Sequence, residues 1–339
     1  MFPVLRLPHL AFENIYGHLE ITELILLSQC SKHIKTIIRS MEKTRGKTLE
    51  LTVKEQYSLI KVLGKKRERL FAWTVDLHDS EMWVRIPPFV DTIFEGKSWR
   101  IADSMHTPGW VNATKRDRID QDTLLVVHFF KDVFHCSIDK IEILSLGNKK
   151  IDKLLQSTSI LHTARYIRIK MEDLFPAEMN FMLDTFVAEE LEISGDPGWQ
   201  YNYQKPVLRF PKISINPAQW ITGADFMEMA ETCEKIHLWV GNGITNQDLN
   251  TFIKTWLAGT NEILEKVNLC RKFISVNPQT RRDAMTTNDV FNGVKGTQIN
   301  DDYDQVRVEI KRADGKQAKV IIQQGEEWRY RNFSFTVVK

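Results

Sequence analysis

"KIHLWVGNGITNQDLNTFIKTWLAGTNEILEKVNL", Lys235 to Leu269, contains one full turn of the fold. The apolar-x-apolar pair Ile236/Leu238 opens it and the pair Val267/Leu269 closes it. Such alternation marks a strand with one face buried. Between the pairs, "TNQDLNTFIKTWLAG" reads as a helix, with Thr245 or Asn246 standing where an N-cap belongs. The same pairing recurs upstream at Ile141/Ile143, Ile167/Ile169, Leu191/Ile193 and Ile213/Ile215, and the second members step by 26, 24, 22, 23 and 31 residues. The segments "KKIDKLLQSTS", "PAEMNFMLDTF" and "GADFMEMAE" supply further helices, whereas "GDPGWQYNYQKP" is a loop. A unit this short cannot bury its apolar face alone, so the spacing predicts a leucine-rich-repeat-like solenoid of stacked strand/helix units over 122–275. The strict L-x-x-L-x-L-x-x-N consensus is absent. A compact doubly wound sheet is the alternative that the same alternation allows.

Working outward, residues 276–339 end in "VRVEIKRADGKQAKVII" and "RYRNFSFTVV", a β-meander turning at Asp314-Gly315. Its expected role is to cap the last apolar layer of the stack. Upstream, 46–121 reads as a small antiparallel β-rich section, with strands at Thr48–Val53 and Phe71–Leu77 and a Trp-rich, irregular stretch after Ser80. "QDTLLVVHFFKDVFHCS" then shows helical periodicity. Residues 1–45 hold three short amphipathic runs after Leu7-Pro8, a dipeptide that fixes an extended lead-in. Helices of about ten residues do not persist alone, so they must pack on one another and on something else. The fold class is mixed α/β.

Composition limits function. The chain has 339 residues, 42% of them hydrophobic, and 46 basic against 44 acidic side chains. A net charge of +2 gives no global attraction to nucleic acid or to an acidic membrane. No run approaches the roughly 20 apolar residues of a transmembrane helix. Cys30, Cys136, Cys233 and Cys270 are far apart in sequence, which suits a reducing, cytoplasmic or nuclear setting. No H-E-x-x-H, P-loop or G-x-S-x-G occurs, so no enzyme chemistry and no cofactor are expected. Gly241-Asn242-Gly243 lacks the third glycine of a dinucleotide site and reads as a turn. His128 and His135, with Cys136, are ordinary helix residues on this reading, and Asp301, Asp302 and Asp304 are a solvated loop with no glycine for a calcium turn. No metal is expected. The basic clusters Lys65/Lys66/Arg67/Arg69 and Lys115/Arg116/Arg118, interleaved with Trp73 and Trp110, are diluted by Glu68, Asp117 and Asp120, so they do not read as a nucleic-acid site.

Two stretches resemble a known family. "FPVLRLPHL" followed by "ELILLSQCSKHIKTIIRS" resembles the F-box, in the form found in the large nematode F-box families. Phe2, Pro3, Leu7, Pro8, Leu27, Ser28, Cys30, Ser31 and Lys32 fall on that pattern, while Ile34 departs from the Trp of the wider consensus. Downstream, Ile244, Thr245, Asn246, Asp248, Leu249, Asn250, Phe252, Trp256 and Gly259 resemble the F-box-associated domain of those families. The resemblance implies a substrate receptor of an SCF-type ubiquitin ligase, which docks on a Skp-type adaptor and through it a cullin, with no catalysis of its own. It nominates Leu7, Pro8, Leu10, Ile15, Leu24, Leu27, Ser28 and Ser31 for the adaptor. The alternative is an interaction or sequestering protein that keeps the F-box but works outside a ligase. If the apolar pairs face inward, strand alternation turns Arg168, Lys170, Glu192, His237, Trp239 and Asn268 outward, the expected surface for a target protein. Trp239 is the hot-spot candidate there, set against packing under "GWQYNYQKP".

Overall fold

The computed structural model describes residues 9–41, 45–54, 57–76, 90–94, 97–103, 110–114, 119–144, 159–198, 200–203, 210–241, 243–259, 261–272, 286–302, 305–324 and 330–338. It forms two compact units, Met1–Tyr166 and Ile167–Lys339.

The first unit opens with helices α1 (His9–His18), α2 (Ile21–Cys30) and α3 (Lys32–Ser40). Local chemistry sets their starts. The Glu20 N–H donates to Glu23 Oε2 at 2.7 Å, and Ser31 Oγ accepts from the Ile34 N–H at 3.1 Å. Tyr16, Leu24, Ile25, Ile34, Ile38 and Met41 are buried. The sheet runs β7-β1-β2-β3-β6-β5-β4, from β1 (Thr48–Lys54), β2 (Tyr57–Leu63), β3 (Arg69–Asp76), β4 (Val90–Phe94), β5 (Lys97–Asp103), β6 (Trp110–Thr114) and β7 (Ser137–Leu144). Within 46–121 the pairs β1–β2, β2–β3, β4–β5 and β5–β6 are antiparallel as expected, but β3–β6 is parallel, and β1 also pairs in parallel with β7 beyond that section. Parallel pairs need a long crossover, and sequence alternation reveals neither partner nor direction. Helix α4 (Ile119–Phe134) starts just before the boundary expected at 122 and lies against β2, β3 and α3. Phe130 from α4 meets Phe71 and Trp73 from β3 at ring-centroid distances of 5.9 and 6.5 Å. Arg39 of α3 pairs with Asp132 of α4 at 2.9 Å.

In the second unit, β8 (Tyr166–Asp173), β9 (Glu190–Asp196), β10 (Lys212–Asn216), β11 (Lys235–Val240) and β12 (Lys266–Lys272) lie side by side in chain order. β9 to β12 are parallel. The order never reverses, so the doubly wound alternative, which needs a switch point, is not the arrangement here. Helices α5 (Pro176–Thr185), α6 (Gly223–Thr232) and α7 (Asn246–Leu257) make the crossovers between β8 and β9, β10 and β11, and β11 and β12. A short α8 (Thr287–Val290) precedes the final strands β13 (Thr297–Asp302), β14 (Gln305–Lys311), β15 (Gln317–Gln324) and β16 (Tyr330–Val338). β16 pairs antiparallel with β12 and continues the sheet through β15, β14 and β13. The helix expected in "KKIDKLLQSTS" falls mostly outside the described residues.

Register explains the core. Leu191, Ile213, Ile236, Val267, Phe335 and Val320 form one inward row, and Ile193, Ile215, Leu238, Leu269, Phe333 and Ile322 form the next. Each is at most 3% exposed. Burying such a side chain is worth about 1.5–3 kcal/mol, which is why the apolar pairs recur. Phe252 and Trp256 of α7 close over this layer, their rings 5.0 and 5.2 Å from Phe335.

Candidate interaction surfaces

The described residues of the N-terminal helices divide the adaptor candidates between interior and surface. Leu7 and Pro8 lie outside the described residues, and Leu10 is placed on α1 by its backbone. Ile15 is exposed and Leu27 half-buried. Leu24, however, is only 2% exposed and belongs to the interior of the first unit. Ser28 is buried and its hydroxyl donates to the Ile25 carbonyl at 2.6 Å, while Ser31 is the cap of α3. As the chain stands, Leu24 and Ser28 therefore stabilise the helices and present no outer surface. The accessible apolar side chain on α2 is Leu26, 59% exposed, which the sequence reading passed over. The run I-T-E-L-I-L-L is apolar on nearly every side, so periodicity alone does not choose the buried face.

The outward face of the second unit carries the other candidates. Register sets Glu192, Ser214, His237, Asn268 and Ser334 in one row across β9, β10, β11, β12 and β16. Arg168 Nε lies 3.1 Å from Glu192 Oε1 as an ion pair, and Asn268 Oδ1 accepts from Ser334 Oγ at 2.9 Å. Partial burial pushes the His237 imidazole pKa down; the Glu192 carboxylate pulls it up and the Lys266 ammonium lowers it further. His237 thus stays neutral around neutrality. Lys170 is exposed on β8. Trp239 is 38% exposed, one row along, opposite Cys270. The residue under the aromatic loop is instead Trp220, which meets Tyr201 and Tyr203 edge-on at 5.3 and 5.8 Å. The loop was legible; its tryptophan was not.

Lys212, Lys235 and Lys266 also share one outward row, and sequence reasoning missed them. The signal was present: each lysine directly precedes its strand's apolar pair, in "KISI", "KIHL" and "KVNL".

The remaining chemical candidates serve the fold. His135, with φ 49°, ends α4 and holds the Arg39 carbonyl through Nε2 at 2.8 Å. Burial pushes the Cys136 thiol up to about 12, so it is neutral. His128, His135 and Cys136 border an open cleft with Lys131, Ser159 and Thr163. Among the described residues no group of three or more His, Cys, Asp or Glu side chains is placed to hold a metal. Gly243 sits in a turn, where a side chain would run into the Ile221 carbonyl. Close backbone approach, rather than a phosphate, accounts for it. Arg67 is engaged by Glu50 and Asp139, and Trp73 is buried, while residues 115–118 lie outside the described residues. Among those described, Asp301 and Asp302 lie on β13. No helix among the described residues is long and apolar enough to cross a membrane.

Residues 4–46 match the F-box domain. Residues 204–269, which include β10, α6, β11, α7 and the start of β12, match the F-box associated family. Over 317 residues the chain is 21% identical to the E3 ubiquitin-protein ligase hecw-1 of Caenorhabditis elegans, covering 86% of this chain and 24% of that protein. The chain therefore spans about a quarter of that relative's length. No solved structure matches.

Proposed function

We propose that this protein is a non-catalytic substrate-recognition subunit of an SCF-type ubiquitin ligase. The observation that carries the reading is the presence of an F-box match at 4–46 and an F-box associated match at 204–269 in one chain. The N-terminal helices take a Skp-type adaptor, which brings a cullin; the outward sheet face of the second unit takes a target protein, with Arg168, Lys170, Glu192, His237, Trp239 and Asn268 as its contacts. Exposed Ile15 and Leu26 and half-buried Leu27 supply the apolar part of the adaptor surface, and the family resemblance adds Leu7, Pro8 and Leu10 to it. Ser28 and Ser31 act by shaping α2 and α3. The straight strand order with intervening helices supports a leucine-rich-repeat-like solenoid, divided as 1–45, 46–121, 122–275 and 276–339. The L-S-x-C-S-K signature supports a nematode lineage. Ubiquitin transfer belongs to other subunits, and the setting is cytoplasmic or nuclear, without nucleic acid or membrane.

Co-purification with a Skp-type adaptor and cullin tests this. Ile15→Asp/Leu26→Asp changes exposed positions, so it should abolish adaptor capture while the protein still unfolds cooperatively. Leu24→Asp is the wrong probe, because charging a buried site unfolds the helices themselves. Trp239→Ala should spare adaptor capture and weaken capture of a target. Wild-type levels of adaptor with the double variant sink the assignment. Adaptor binding without cullin recruitment favours the sequestering reading.

A further inference from the structure

We propose that the outward face of the second unit is a docking surface for a carboxylate-rich protein segment, gripped by the lysine row Lys212, Lys235, Lys266 and Lys319. The inference rests on reading this face as the target surface, and it supplies the chemistry of the target. Register pairs Lys212 with Lys235 and Lys235 with Lys266, and Thr336 of β16 links Lys266 to Lys319 of β15. At roughly 4.8 Å per strand the row spans about 19 Å, the reach of some six extended residues.

Like charges directly opposite on neighbouring strands are unfavourable, and here three stand abreast. Glutamate or threonine at any of these outward positions would relieve the repulsion without touching the core. Among the described residues, no outward position on β10, β11, β12, β16 or β15 carries a carboxylate. The acids stand at the margins: Glu190 opposite Lys212, Glu265 at 3.6 Å from Lys235, and Glu309 at 3.9 Å from Lys319. The ion pairs of Glu265 and Glu309 are long and partly exposed, so incoming carboxylates can replace them. Lys266 is exposed and has no carboxylate partner among the described residues.

Charge complementarity selects the occupant. Apart from Thr336 the row is lysine, with no arginine fork for phosphate, and its acidic margins would repel a continuous phosphate backbone. A protein segment with separate Asp and Glu side chains meets the lysines and leaves the margins unopposed.

The test uses the full chain and three fluorescein-labelled probes: an alternating Glu/Ser peptide of twelve residues, its Gln/Ser counterpart, and a single-stranded oligonucleotide of similar length. By fluorescence anisotropy the Glu peptide should bind roughly tenfold or more tightly than the Gln peptide. Raising NaCl from about 50 to about 500 mM should weaken it, because the added ions screen the charges. Lys235→Glu/Lys266→Glu should remove binding; Lys254→Glu, on α7, should not. If the double variant melts early, Lys266→Gln, which deletes charge without reversing it, must still weaken binding. Equal affinity for the Glu and Gln peptides, no binding of either, tighter binding of the oligonucleotide, or an indifferent Lys266→Gln overturns the proposal. Adaptor capture is measured on the same preparations. Its loss with peptide binding intact would fault the ligase reading alone, and the reverse result would fault the docking surface alone.

Discussion

Asp139 on β7 takes three guanidinium N–H groups: Arg165 Nε and Nη2 donate to it at 2.7 and 3.1 Å, and Arg67 Nη2 at 2.7 Å. The hydrogen bond from Arg165 does most to hold this carboxyl below its ordinary range; Arg67 adds to the effect and partial burial opposes it. A folded pKa below the unfolded value of about 3.9 contributes stability above that value, and the contribution fades as pH falls through the folded one. Asp139→Asn should therefore cost about 1 kcal/mol at neutral pH. In urea titrations the gap to wild type should close progressively below about pH 4. A pH-independent gap would mean that packing, not charge, supplies the difference. Nothing in sequence announces this cluster, because Arg67, Asp139 and Arg165 are joined only by folding. Arg67 read as part of a basic cluster when the fold had already committed its charge.

Helices α6 and α7 of the second unit begin by a common device. The Thr222 and Thr245 hydroxyls accept from the Asp225 and Asp248 N–H groups at 3.3 and 3.2 Å, and each aspartate accepts in return from its threonine's N–H at 2.9 and 2.7 Å. Glu178 supplies the return half alone, accepting from the Phe175 N–H at 2.8 Å. Ile-Thr-x-x-Asp thus recurs as a reciprocal cap, and a methyl group at Gly223 would run into the Asp248 carboxylate of the next cap. Thr222→Ala and Thr245→Ala should each cost about 1 kcal/mol. Gly223→Ala should cost as much as Asp248→Ala, because it displaces the same carboxylate; unfolding curves measured side by side decide this. An unchanged midpoint for Gly223→Ala would show that the caps are independent. At this scale the sequence was most legible. The apolar pairs and the Thr245 cap were visible because a strand or cap is encoded within a few residues. Leu24 was misplaced because a short, uniformly apolar helix carries no phase information.

Across the second unit, the strands after α8 close the sheet. Arg312, itself buried, donates to the Asn261 carbonyl at 2.5 Å, pairs with Asp314 and lies over the Trp256 ring at 5.3 Å, tying the β14–β15 turn to α7. The meander was legible from alternation and from Asp314-Gly315. That its final strand, rather than its first, joins β12 was not, since pairing partners distant in sequence leave no local trace. Removing residues after Asn300 should bare the β12 edge, and it should cause aggregation or quicker proteolysis of "NEILEKVNL". A truncated chain that stays monomeric with an unchanged melting profile would show that β16 is dispensable.

The place of β16 also orders events in time. β13, β14 and β15 are neighbours in sequence and pair with one another as successive antiparallel strands, yet none of them pairs with β12. Between Lys272 and Tyr330 the chain must grow by 58 residues, about 3 to 12 s at ordinary elongation rates. Through that interval the nascent β12 keeps an unpaired edge, open to chaperones or to a second nascent chain on the same message. Synonymous codons that slow elongation between Phe273 and Arg329 would lengthen that window without altering a single side chain.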